Sequence, residues 1–100
     1  PSFEYLDTLL KKYYSMKLTK VEDIENYESE KKTSTEIAKK ITTNLGLYYE
    51  NLEPVVDNYV FKWFNMGFSI SMLEQISNYC FKTNVRTLEG MDKVLANSAY

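Results

Sequence analysis

Glu89 and Asp92 stand three residues apart, as do Glu4 and Asp7. Two carboxylates on one helical face are the arrangement in this chain best suited to hold a metal ion or to share acid–base work. Each pair falls in the opening turns of an expected helix, where the positive end of the helix dipole already accounts for its acids. The chain has no histidine and a single cysteine, Cys80. That composition excludes the usual zinc ligand sets, Ser-His-Asp and Cys-His catalysis, and any intrachain disulfide. Cys80 lies on an apolar stripe and reads as a small buried residue. The expectation is a protein that is not an enzyme and carries no metal and no cofactor.

What remains is the chemistry of binding. Aromatic residues make up 15% of the chain, nine of them tyrosine. Trp63, Phe64 and Phe68 could stack on bases, at about 1–3 kcal/mol per base when exposed, but they share an apolar stripe beside Gly67 and are expected in the core. Tyr13, Tyr14, Tyr48 and Tyr49 are the better stacking candidates, because adjacent pairs must place rings on more than one face. Two groups of bases could neutralise phosphates: Lys11, Lys12, Lys17 and Lys20, and separately Lys82, Arg86 and Lys93. Such binding weakens steeply with salt. Lys39 and Lys40 sit near a helix C-terminus, where a dipole role suffices. The net charge of −2 argues against a strongly basic nucleic-acid clamp. The acidity is local, since residues 21 to 30 hold five acids and no base, so the rest of the chain is net basic.

The elements that must position these groups are helices. One hundred residues, 44% of them hydrophobic, suit one compact domain or a small domain with an extra arm. Three glycines and two prolines punctuate the chain, and no stretch alternates long enough to make a strand, so the class is all-α, a small bundle of about five short helices. Ser2 caps a first helix with Phe3, Leu6, Leu9, Leu10 and Tyr13 on its stripe. Thr19 with Glu22 predicts a second helix carrying Val21, Ile24 and Tyr27 inward, and Thr33 with Glu36 predicts a third through Ile37, Ile41 and Leu45, stopped by Gly46. Pro54 opens a helix through Val56, Tyr59, Val60, Trp63 and Phe64 to Gly67. Ser69 caps the next, with Met72 or Leu73, Ile76, Tyr79 and Cys80 facing in, and Thr87 caps a last one presenting Leu88, Met91, Val94 and Leu95. No apolar run reaches the roughly 20 residues that span a bilayer, so no membrane partner is expected. The opening Pro1-Ser2-Phe3-Glu4 has neither an initiator Met nor a signal-peptide pattern, and a piece of a longer cytoplasmic protein is the expectation.

Set against itself, the chain repeats. Ser2-Phe3-Glu4-Tyr5-Leu6-Asp7-Thr8-Leu9-Leu10 aligns with Thr87-Leu88-Glu89-Gly90-Met91-Asp92-Lys93-Val94-Leu95, 85 positions later. Both have a hydroxyl cap, an apolar residue, Glu, a matching Asp and a closing apolar pair, and the period suits one small helical domain. The stretch from Val60 through Trp63 to the Gly67-Phe68-Ser69 corner, followed by a helix and then by Thr87 to Leu95, resembles the DnaD-like domain of bacterial replication-initiation (primosome) and related phage proteins. The resemblance implies a Tyr-x-x-x-Ile-Leu motif in the last helix. It falls on Gly90, Val94 and Leu95, where the aromatic is missing, and on Tyr5, Leu9 and Leu10, where it is kept. Residues 1–32 thus look like the end of a preceding copy plus an acidic linker helix, and 33–100 like a DnaD-like domain. The motif residues are packing groups with no reactive atom. By the same resemblance the chain is expected to bind single-stranded or duplex DNA weakly. Expected protein partners are replication proteins, such as primosome subunits or a helicase loader, or copies of the chain itself. The other expectation is a helical protein-interaction module without DNA contact.

Overall fold

The structure is a computed structural model that describes residues 2–98; Pro1, Ala99 and Tyr100 lie outside the described residues. Five helical rods account for the regular structure, and the described residues contain no strand. The chain divides into two units, Pro1–Lys31 and Lys32–Tyr100.

The first unit holds α1 (Phe3–Ser15) and the opening turns of α2 (Val21–Asn44). Ser2 caps α1 as expected, its Oγ accepting from the Tyr5 amide at 3.1 Å. At the other end Lys17 takes φ 61° and the Leu18 amide donates to the Tyr13 carbonyl at 2.9 Å, a left-handed C-terminal cap built on a lysine. Tyr13 is the buried residue of α1. Its hydroxyl donates to the Glu28 carboxylate, and its ring meets Tyr27 edge-on with centroids 6.3 Å apart. Leu9, Leu18 and Ile24 are half-buried, whereas Val21, expected to face inward, is exposed.

The expected break between the second and third helices does not exist. Residues 21 to 44 form one helix, and Thr33 is an exposed interior position. No glycine or proline interrupts this stretch, and Glu and Lys in its middle are good helix formers, so propagation prevails over a potential cap.

The second unit contains the core. Ile37 and Ile41 of α2, with Leu45 just past its end, pack with Val55, Val56, Val60 and Trp63, with Leu73 and Cys80, and with Leu88, Met91 and Leu95. Gly46 (φ 78°) ends α2 and Gly67 (φ 98°) makes the corner before α5, both in the left-handed region that glycine enters without strain. Between them, α3 (Glu53–Val55) has Pro54 in its first turn. It continues through a π-helical turn, Val56–Val60, into α4 (Phe61–Asn65). The wide turn, closed by the Phe61 amide on the Val56 carbonyl, was not signalled by the apolar spacing. Ser69 caps α5 (Ile70–Lys82), its Oγ accepting from the Met72 amide at 3.2 Å. Thr87 caps α6 (Leu88–Ser98), its Oγ1 accepting from the Gly90 amide at 3.0 Å. In α5 it is Leu73 that is buried, while Met72 and Tyr79 are exposed.

Candidate binding surfaces

Trp63 is fully buried, and its indole N–H donates to Asp92 Oδ1 at 2.8 Å. The other oxygen of the same carboxylate accepts from Lys62 Nζ at 2.7 Å, and the Tyr59 hydroxyl donates to Glu89 at 3.1 Å. Glu89 and Asp92 therefore pin α6 to the rod that carries Tyr59, Lys62 and Trp63, a role beyond the dipole argument. Burial would raise the Asp92 carboxyl, but the hydrogen bonds from Lys62 and Trp63 outweigh it and hold the group below the usual carboxylate range. Burial, with the bond to Glu89, pushes the Tyr59 phenol up. Trp63 and Phe68 belong to the core, Phe64 packs against it half-buried, and none of the three offers a free stacking face.

The motif positions divide in the same way. Leu95 is fully buried and Val94 packs against the core. Gly90 has a steric cause, because a Cβ built there lies 2.8 Å from Val85 Cγ1 and 3.0 Å from Thr87 Oγ1. The loop before α6 occupies the space an aromatic would need. In α1, Leu9 is half-buried, while Tyr5 and Leu10 are exposed.

The expected basic residues are exposed or half-buried, but no contact gathers them into one patch. Lys11 pairs with Asp7 one turn away at 2.9 Å, a solvent-exposed bridge of small energetic weight. The Lys12 ammonium lies 5.4 Å from the centre of the Tyr27 ring. In the second unit Arg86 stacks on Phe81 at 4.1 Å, leaving Lys82 and Lys93 exposed at the end of α5 and on α6. Among the described residues no group of three His, Cys, Asp or Glu is placed to hold a metal ion, and no helix is long and apolar enough to cross a membrane. Burial raises the Cys80 thiol, which keeps it protonated.

Of the four tyrosines named as stacking candidates, Tyr13 is withdrawn into the first unit, and its hydroxyl is pushed up to about 12 chiefly by the bond to Glu28. Tyr14, Tyr48 and Tyr49 are exposed. Tyr48 and Tyr49 rim a hollow of about 280 Å³ with Lys39, Thr42, Thr43, Leu47, Glu50 and Leu52. The lysine that sequence reasoning assigned to the helix dipole thus stands beside two exposed rings. The left-handed corner at Gly46 folds the link back to the last turns of α2, and that return in the chain is the signal that would have found it. A second hollow, about 450 Å³ and lined by Leu10, Tyr13, Tyr14, Leu18 and Ile24 among others, lies in the first unit. No protein-family model, curated protein or solved structure matches this chain.

Proposed function

We propose that this chain is a non-enzymatic, DnaD-like helical module of DNA replication initiation, or of a phage equivalent, that holds single-stranded DNA weakly and associates with other replication proteins. One observation carries the DNA contact: Tyr48, Tyr49 and Lys39 meet at one hollow. Exposed rings accept bases of any sequence, and an adjacent ammonium attracts the backbone, which is the chemistry of sequence-tolerant single-strand binding. Glu50 on the same rim, with the chain's overall negative charge, keeps that affinity low. The replication setting rests on the resemblance carried by Trp63, the Gly67-Phe68-Ser69 corner and the α6 stretch.

The test is fluorescence anisotropy of a labelled single-stranded oligonucleotide titrated with the chain at about 50 and 200 mM salt. Binding that falls steeply between the two is expected, with roughly tenfold or greater loss on Tyr48→Ala or Tyr49→Ala. Retention by those variants, with loss on Lys82→Gln, Arg86→Gln and Lys93→Gln together, moves the contact to the α5–α6 end. No salt-sensitive binding at all leaves the second reading, a protein-association module without DNA contact. The exposed Phe3, Leu6, Leu10 and Tyr14 of α1 favour that reading.

A further inference from the structure

Glu50 is the discordant group at the Tyr48–Tyr49 hollow, an acid where a polyanion would lie. The link that carries it is held at both ends. The Leu47 amide donates to the Thr42 carbonyl at 2.8 Å, and Asn51 Oδ1 accepts from the Glu53 amide at 3.0 Å. Leu47 and Leu52 pack against the core. The rim is therefore set before anything binds, the condition under which a few polar groups can discriminate between ligands. On that rim Tyr48 and Tyr49 are 88% and 40% exposed, and Lys39 and Glu50 are exposed as well. Among the described residues neither the Lys39 ammonium nor the Glu50 carboxylate is held in an ion pair, with the other or with any third residue. The hollow thus joins two stacking faces, an uncommitted cation and an uncommitted pair of acceptor oxygens.

We infer that this hollow selects guanine within single-stranded DNA, and that Glu50 determines the choice. The inference rests on the reading of the hollow as the DNA contact. The rings take the face of the base, Lys39 takes the phosphate, and Glu50 meets the edge of the base, where a carboxylate accepts N–H donors alone. Guanine presents two adjacent donors, N1–H and the N2 amino group, which match both oxygens of one carboxylate. Cytosine and adenine each present an amino group beside a ring nitrogen whose lone pair repels the second oxygen. Thymine presents a single N–H between two carbonyls. The volume agrees with one nucleoside, since about 280 Å³ falls just below the roughly 300–1,000 Å³ of small-molecule pockets.

The experiment is fluorescence anisotropy of short oligothymidine strands carrying one central thymine, cytosine, adenine, hypoxanthine or guanine, titrated with the whole chain at about 50 mM salt. A single guanine per strand avoids four-stranded assembly. The guanine strand should bind roughly fivefold or more tightly than the all-thymine strand, the lower end of what a bidentate base contact supplies. Hypoxanthine, which is guanine without the N2 amino group, should lose most of that advantage. Glu50→Gln should bind the all-thymine strand more tightly, because a negative charge leaves the rim, yet bind the guanine strand no better than the thymine one. A role for Glu50 in shaping the link alone would not move the two strands in opposite senses. If the wild-type chain binds every strand alike while Tyr48→Ala still weakens them all, the base preference is overturned and the DNA contact stands. A guanine preference that survives in Glu50→Gln overturns the assignment to Glu50. Binding untouched by Tyr48→Ala and Tyr49→Ala takes the contact away from the hollow, and the preference with it.

Discussion

Asp92 is a single carboxylate with two donors from another helix, and the consequences of removing it differ by donor. Asp92→Ala leaves a buried indole N–H without its acceptor, at a cost of about 1–3 kcal/mol in a thermal or urea melt. Asp92→Asn keeps an oxygen for Trp63 and loses the charge that faces Lys62. Because the folded carboxyl lies below its unfolded value, its contribution is full above the unfolded pKa of about 4 and is lost as pH falls through the lower folded value. The wild-type chain should therefore lose stability below about pH 4 more steeply than Asp92→Asn, and parallel acid profiles would show that the carboxylate's charge is not involved. Gly90 offers the converse case. Alanine there gains helix propensity of about 1 kcal/mol but drives Cβ into Val85, and overpacking of about 1–3 kcal/mol leaves the variant less stable overall; Val85→Ala in the same chain should restore it. The sequence allowed Trp63 and Leu95 to be placed inside, because their stripes follow helical spacing. It did not show that Asp92 meets Trp63, since the two are 29 residues apart and only the packing of α6 joins them.

At the scale of elements, local rules located the helix ends well and the helix interiors less well. Ser2, Ser69 and Thr87 cap as their positions require, and Gly46 and Gly67 turn the chain. The same left-handed ending recurs on Lys17 and Asn84, each followed by an apolar residue whose amide reaches back five residues, Leu18 to Tyr13 and Val85 to Cys80. A lysine in that conformation is strained by roughly 1 kcal/mol, so Lys17→Gly should raise the melting temperature of the first unit by about that equivalent. The Thr33-to-Glu36 spacing failed as a helix start because a capping box competes with continuation, and nothing on either side breaks the helix. Thr33→Ala distinguishes the two arrangements. In a helix interior it should stabilise by a few tenths of a kcal/mol, whereas loss of a true cap would cost about 1 kcal/mol. The π turn at Val56–Val60 was illegible for a related reason: one wide turn shifts the apolar register by less than the stripe is wide. The Tyr48–Tyr49–Lys39 hollow was half legible, since the rings were singled out for stacking but the lysine was joined to them only by the fold of the link.

For the molecule as a whole, the two units are built with unequal means. The second buries a tryptophan and a run of aliphatic side chains from every one of its helices, while the first buries Tyr13 alone among the apolar residues of α1. Side-chain truncation should follow that division. Leu95→Ala removes a fully buried side chain and should cost about 2–5 kcal/mol, whereas Leu10→Ala, at the matching repeat position, removes an exposed one and should fall within about 0.5 kcal/mol. Unfolding should then proceed in two stages. Amides of α1 should exchange through local opening at low free energy, and those of α5 and α6 only with loss of the shared core. Denaturant profiles read at different probes should separate accordingly, with far-ultraviolet circular dichroism beginning to fall before Trp63 fluorescence changes. Coincident profiles, together with an equal cost for Leu10→Ala and Leu95→Ala, would mean that the two units unfold as one.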